Sequence, residues 1–298
     1  MGIFCYVLAM PSRVSVIVPH YRDLKGLDAC LSALANQTAR PDEIIVADNN
    51  SPEGEAAVAT VIAGRAHLTI VREQGAGPAR NGGVAASTGD ILAFTDSDCL
   101  PEPQWLANAL AALSSCDYVG GAMQVLVADE HNLTPAEAFE RVFAFDNETY
   151  VLAKGFTVTA NLVCRRALFD DVGGFRTGVS EDLEWCQRAR AKGYSIGYAA
   201  DAVIGHPARR TWLEMTRKWA RLDSEAFELA LEVSGGRLRW FLKSLALPAS
   251  ALAHTPRVLA SPALAGSTDR LKALAMLYRL RVWRAVDSLQ LLTKARAA

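Results

Sequence analysis

The sequence predicts an α/β fold: a doubly wound, mostly parallel sheet with helices on both faces, followed by a C-terminal helical extension. Two observations carry this. Over the first hundred residues, short apolar runs alternate with helically spaced apolar residues, the order expected of a parallel sheet with crossover helices. The runs are also apolar at successive rather than alternate positions, as strands buried on both faces require.

VSVIVP (14–19) is the first run, and Leu27, Cys30, Leu31 and Leu34 follow at the steps of one helix face. EIIVAD (43–48) is the second, an Ala-rich helix is expected over 52–63, and LTIV (68–71) is the third. A helix over 78–86 leads to DILAFTDSD (90–98), where an apolar strand runs out into two aspartates. Beyond it, DYVGGAMQVLV (117–127) reads as a strand with a glycine break and 135–145 as a helix. FTVTANLVCRR (156–166) reads as another strand and Gly173-Gly174-Phe175 as a turn. Ser180 can cap a helix running to Lys192, its first turn favouring the acids Glu181 and Asp182. A strand over 198–204 delivers His206, and a helix rich in Arg and Trp runs to Leu231. Two helical stretches, 238–247 and 269–293, close the chain across a linker rich in Pro, Gly, Ser and Ala. In the second, Leu271, Leu274, Tyr278, Val282, Leu289 and Leu292 share one face, with basic residues around the rest.

Composition narrows the class. The chain has 298 residues, 51% hydrophobic and 21% charged, as a soluble globular protein has. Its net charge of −1 conceals an asymmetry: from Arg237 onward eleven Lys or Arg stand against two acids, so a +9 tail follows a −10 body. The six cysteines form no C-x-x-C pair, consistent with reduced thiols and a cytoplasmic location. The opening MGIFCYVLAM is apolar but short and lacks a basic flank, so it fits neither a secretory signal nor a spanning helix. No G-x-G-x-x-G follows the first strand and no G-x-x-x-x-G-K-[ST] occurs, which argues against a dinucleotide fold and a P-loop.

In an open α/β sheet, ligands bind beyond the carboxyl ends of the strands. Asp96-Ser97-Asp98 stands at such an end, and a hard cation such as Mg²⁺ is suited by one or two carboxylates plus substrate phosphates. Each feature alone has a plainer reading. Asp and Ser are ordinary turn formers, Ser-Glu-Asp is an ordinary helix start, and His206 could be a satisfied histidine at a strand end. Trp105, Trp185 and Trp219 read as core or cleft wall.

Taken in order, VSVIVPHYRD, EIIVADNNS, GPARNGGVAASTGDILAFTDSDC, GGFRTGVSEDLEWCQRARAKGY and GHP resemble the family 2 glycosyltransferases of the GT-A fold. The resemblance covers roughly residues 14–220. It implies an inverting transferase that takes a nucleotide-diphosphate sugar, UDP first, with Mg²⁺ or Mn²⁺. By position, Pro19 and Tyr21 correspond to the loop contacting base and ribose. Asp48 stands at the first acidic position of the family's D-D-G-S segment, and Asn49 and Asn50 depart from it, so either Asp48 or Asn49 could read the base. Arg80 and Asn81 match the A-R-N segment near the nucleotide. Asp96 and Asp98 match the D-x-D motif, with Asp98 the more direct metal ligand and His206 able to complete the coordination. Asp182 of the E-D motif corresponds to the base on the acceptor hydroxyl, with Glu181 as acceptor holder or alternative base. A first-turn location lowers the pKa of Asp182.

The implied divisions are an N-terminal extension (1–13), a nucleotide-binding half (14–100), an acceptor-binding and catalytic half (101–235) and a basic helical extension (236–298). The extension suits an anionic membrane surface, with Trp240, Phe241 and Trp283 at the interface. It equally suits packing on the preceding domain or on a sister subunit in a homodimer. No nucleic-acid motif accompanies the charge. The acceptor is then a glycan or a lipid-linked sugar, placed at the inner face of a membrane. Two alternatives are a non-catalytic sugar-nucleotide module and a sugar-1-phosphate nucleotidyltransferase, whose Gly-rich opening is missing here.

Overall fold

The computed structural model describes residues 12–294. The segment MGIFCYVLAM lies outside the described residues, as does Cys5. The first half follows the apolar runs: β1 (Val14–His20), α1 (Leu24–Ala35), β2 (Glu43–Asp48), α2 (Glu55–Ile62), β3 (His67–Ile70), α3 (Ala76–Ala85) and β4 (Ile91–Phe94). α1 is capped by the Asp23 carboxylate, which accepts from the Gly26 N–H, and it buries Leu27, Cys30, Leu31 and Leu34 as their spacing requires. α2 starts later than expected because Gly54 precedes it at φ 84, a left-handed turn that glycine takes without strain.

In the second half, β5 (Leu100–Pro101), α4 (Trp105–Ala112), β6 (Tyr118–Leu126), α5 (Pro135–Phe143) and α6 (Asn147–Thr149) are followed by a π-helical turn over Tyr150–Lys154. β7 (Leu162–Arg165), α7 (Arg166–Val172), α8 (Glu181–Ala191), β8 (Ile196–Pro207), α9 (Trp212–Leu231), α10 (Gly236–Leu259) and α11 (Ser267–Lys294) complete the chain. Capping boxes at Thr134 with Glu137 and at Thr211 with Glu214 start α5 and α9.

Among the described residues eight strands form one sheet in the order β3-β2-β1-β4-β7-β6-β8-β5. β3, β2, β1 and β4 are mutually parallel, β7 is antiparallel to both β4 and β6, and β6 and β8 are parallel again. The sheet is therefore mixed, with its parallel part in the first hundred residues. The chain turns from β1 to β2 on one side and to β4 on the other, which opens a crevice at the carboxyl ends of these strands.

The strand expected over 156–166 shrinks to β7. The Asn147 amide donates to Thr157 Oγ1 at 2.9 Å and its carbonyl accepts from the Val158 N–H at 3.2 Å, so this backbone pairs with a side chain instead of a strand. Between β6 and β8 the register shifts at Gly121/Ala122. The Asn161 amide fills the gap, donating to Ala122 O and Ala202 O at 2.9 Å each. A Cβ on Gly121 would meet Ala202 O at 2.3 Å, so only glycine fits the bulge.

Two apolar cores flank the sheet, one under α1, α2 and α4, the other under α3, α7 and α8. Trp105 and Trp185 belong to them and are fully buried. A third core joins α5 and α9 to α10 and α11. Two expectations change here. The first C-terminal helix does not stop at Leu247 but continues through Pro248 and Pro256 to Leu259. Packing along α11 outweighs the proline cost, and Ser250 and Thr255 hydroxyls donate to the carbonyls of Leu247 and Ala251. The face of α11 that packs is Ala273, Met276, Leu277, Leu280, Arg284 and Ser288, whereas Leu271, Tyr278 and Val282 are exposed. Trp240 is buried and Trp283 packs edge-on against Trp212 at 6.2 Å, so neither is an exposed interface residue. Arg284 forms a buried bidentate pair with Asp223 of α9 at 2.9 and 2.6 Å.

Candidate active site

The crevice is a cleft of about 840 Å³ whose wall includes Pro19, Tyr21, Asn49, Arg80, Asp96, Asp98, Glu181, Asp182 and His206. The sheet topology therefore gathers residues up to 187 positions apart, from Pro19 to His206. Asp48 and Asn81 are not part of that wall. The Asn81 amide closes a pair of bonds with the Phe175 backbone at 2.8 Å each, clamping the Gly173-Gly174-Phe175 turn onto α3.

At the end of β2, Asp48 is buried and both oxygens of its carboxylate are engaged. It meets His20 Nδ1 at 2.7 Å, the Ser51 hydroxyl at 2.6 Å and the Ser51 N–H at 2.9 Å. Asn49 is engaged as well: its NH₂ donates to Val71 O and Glu73 O, and its carbonyl accepts from the Gly75 N–H. Both side chains are thereby fixed by protein partners, with Asn49 at the cleft wall and Asp48 behind it. Among the described residues, His20 Nε2 is buried without a protein partner while the residue lines the cleft, as are Arg80 Nε and Trp219 Nε1. The sequence signal for His20 was only its place between Pro19 and Tyr21.

Arg80 lies in the middle of the floor, 3% exposed. Its Nη2 donates to Asp96 Oδ1 at 2.5 Å and its Nη1 to Glu181, tying the loop after β4 to the N-terminus of α8. Burial opposes the guanidinium charge, but the two carboxylates outweigh it and raise its pKa.

Next to this bridge, Asp98 Oδ2 faces His206 Nε2 at 3.5 Å. His206 Nδ1 lies 2.8 Å from Pro207 O, and since a carbonyl only accepts, Nδ1 carries a proton and Nε2 is the nitrogen that faces Asp98. Such an orienting bond is what a metal-bound histidine usually has. Cys99 Sγ lies in the same cluster, with the ligand atoms within 4.8 Å of one another. Burial and the neighbouring Asp96 and Asp98 push its thiol well above the ordinary range, so it stays protonated and is a poor ligand. A carboxylate with an imidazole is a donor set that suits Mn²⁺ better than Mg²⁺, whose ligands are oxygens.

Asp182 opens α8 beside Glu181, and its Oδ1 accepts from the Leu183 N–H at 2.7 Å. Burial raises its pKa above the usual carboxylate value, and the Leu183 bond only partly opposes this. The expectation that its place in the first helical turn lowers the pKa is thus reversed, because desolvation exceeds the dipole effect here.

Two groups at the cleft, Glu140 and Phe145, escaped the sequence reading, whereas Trp219 lines the cleft as one of its expected readings had it. Glu140 of α5 is buried and binds Lys218 Nζ at 2.7 Å and Arg209 through Nη1 and backbone N, at 3.2 and 2.8 Å. This holds two cations in the wall. Burial would raise the Glu140 pKa, but Lys218 and Arg209 bring it below the ordinary value. The Phe145 ring packs at a tilt 4.7 Å from the His206 ring, and its backbone has φ 53, a left-handed conformation rare for an aromatic residue. Trp219 also lines the cleft, with the Arg284 guanidinium 3.7 Å over its ring.

The profile described as "Glycosyl transferase family 2" matches residues 15–183, more than half of the chain and all of the parallel half of the sheet. The chain belongs to glycosyltransferase family 2. Glycosyltransferase AglE of Haloferax volcanii is 33% identical over 206 residues, 66% of this chain and 67% of that protein. The pre-mycofactocin glycosyltransferase of Mycobacterium tuberculosis is 28% identical over 260 residues, 78% of this chain but 53% of its own length. Among solved structures, the mannosyltransferase PcManGT from Pyrobaculum calidifontis in complex with GDP-Man and Mn²⁺ has the same fold. Its TM-score is 0.59 at 20% identity, covering 94% of this family 2 chain and 87% of that one.

Proposed function

We propose that this family 2 enzyme moves a sugar from a nucleotide-diphosphate donor to an acceptor hydroxyl with inversion, using Mg²⁺ or Mn²⁺. The observation that carries the reading is the Asp98 and His206 pair, with Oδ2 and Nε2 3.5 Å apart and Nδ1 turned to the Pro207 carbonyl. The mannosyltransferase PcManGT, in complex with GDP-Man and Mn²⁺, supports a divalent ion and a nucleotide sugar in this fold. Asp98 and His206 hold the ion, with Asp96 beside them. When bound, the ion neutralises charge on the departing diphosphate.

The chain's own residues do the rest. Arg209 and Lys218, fixed by Glu140, add positive charge at the cleft wall toward the diphosphate. Arg80 keeps Asp96 and Glu181 in place, so Glu181 is committed to a salt bridge and Asp182 is the base. Its raised pKa suits it to take the proton of an acceptor hydroxyl at its carboxylate. His20 Nε2, rather than Asp48 or Asn49, meets the base or ribose, with Pro19 and Tyr21 beside it. On this reading residues 14–100 serve the donor and 101–235 the acceptor, a glycan or lipid-linked sugar in cell-surface assembly.

A thermal-shift panel of UDP, GDP and dTDP with and without Mn²⁺ tests this. UDP is expected first. A diphosphate at 100 times its Kd stabilises by about 2.7 kcal/mol, and the shift should need the metal. No response to any of the three, with metal present, overturns the donor assignment.

A further inference from the structure

The face of the C-terminal helices that no described residue of the domain covers is apolar. On α10, Leu238, Phe241, Leu245, Leu252 and Leu259 recur at three-, four- and seven-residue steps and are 41–67% exposed. Their stripe lies opposite the buried Trp240, Leu247, Ala251 and Val258. On α11, Leu271, Tyr278, Val282 and Val286 form a second exposed stripe opposite the packed one. The two stripes share one side of the hairpin. At one end Leu238 and Phe241 meet Leu289 and Leu292 in an open groove, and at the other the Thr255 and Tyr278 hydroxyls lie 2.9 Å apart. An apolar strip two helices wide therefore runs along the outside of the domain, larger than scattered surface leucines account for.

Its flanks are cationic. Arg239 and Lys243 stand about one turn apart on one edge of α10, and Arg257 on the same edge is tied to the domain by Asp146 at 3.2 Å and by the Phe143 ring. On α11, Arg279 borders the stripe, its guanidinium 3.9 Å above the Trp212 ring. Between 236 and 294 ten Lys or Arg stand against Asp269 and Asp287. Among the described residues no helix is long and apolar enough to cross a membrane, so the strip is of the kind that lies on a bilayer rather than in it. A second copy is the poorer occupant, because a two-fold contact would set this basic rim against itself.

We propose that the outer face of α10 and α11 docks on an anionic lipid surface, with the two stripes in the acyl boundary and the flanking Arg and Lys on the headgroups. This is independent of the chemistry proposed for the cleft, since it is read without substrate. The full chain should float with vesicles of phosphatidylcholine mixed with phosphatidylglycerol, not with phosphatidylcholine alone, and retention should weaken with salt. Leu245→Asp with Val282→Asp should abolish retention, and Arg239→Ala with Arg279→Ala should lower it about thirty-fold. Leu245 and Val282 are each 54% exposed, so an unchanged melting temperature is expected of L245D/V282D, while R239A/R279A gives up the Arg279 contact with Trp212 and melts slightly lower. Absence of flotation with the mixed vesicles at low salt overturns the proposal, as does retention of L245D/V282D. So does a stable dimer that this double variant splits, which would make the face a contact between copies.

Discussion

Arg80→Met removes the charge that joins two walls of the cleft while keeping most of the side-chain volume. In the native chain one guanidinium, 4% exposed at the side chain, serves Asp96 and Glu181, which are 31% and 20% exposed. Removing one partner of a buried ion pair costs about 3–5 kcal/mol, because the other charge stays behind without compensation. Water reaches part of both carboxylates here, so the low end, about 3 kcal/mol, applies. In a chain of this size each kcal/mol shifts the melting temperature by about 2 °C, so a loss of about 6 °C is expected in a thermal melt at neutral pH. The deficit should shrink at mildly acidic pH, since two carboxylates facing each other without a cation take up a proton more readily. Arg80→Lys should fall between the two, as an ammonium cannot bridge both acids in one plane. A loss below about 1 °C, or one that does not change with pH, would refute the claim that this bridge holds the cleft together.

The other outcomes concern chemistry and the C-terminal helices. Asp182→Asn should stop transfer while leaving the nucleotide-dependent thermal shift intact; full transfer by this variant would refute the base assignment. Because Asp182 works as a base only when ionised and its pKa is raised, donor consumption should fall as pH drops through a value above the ordinary carboxylate range. An acid limb at the unperturbed position would count against it. Asp98→Asn and His206→Ala should each remove the Mn²⁺ dependence of nucleoside-diphosphate stabilisation, measured by the same melts. Asp223→Ala should cost about 3–5 kcal/mol by leaving Arg284 buried without its partner, seen as a lower midpoint in urea denaturation.

The parallel half of the sheet was legible in the residues because its strands are buried on both faces, and few elements besides such a strand produce a continuous apolar run between helical spacings. Mixed strand directions beyond β4 were not, since an antiparallel neighbour leaves no different mark on a short strand such as LVCR. Nine of the eleven expected site residues line the cleft, because motifs at strand ends and helix starts inherit their place from the topology. What each side chain does there depended on neighbours distant in sequence. Asp48 is engaged by His20, 28 positions away, and Glu181 by Arg80, 101 positions away. The two cations held by Glu140 came from α9 and the segment before it. The C-terminal stripe shows the same division. Periodicity placed Leu271, Tyr278 and Val282 on one face of a helix, which backbone geometry alone determines. Which face meets the domain is decided by what the domain offers, and here it offers Asp223 to Arg284 and leaves the leucine stripe outside.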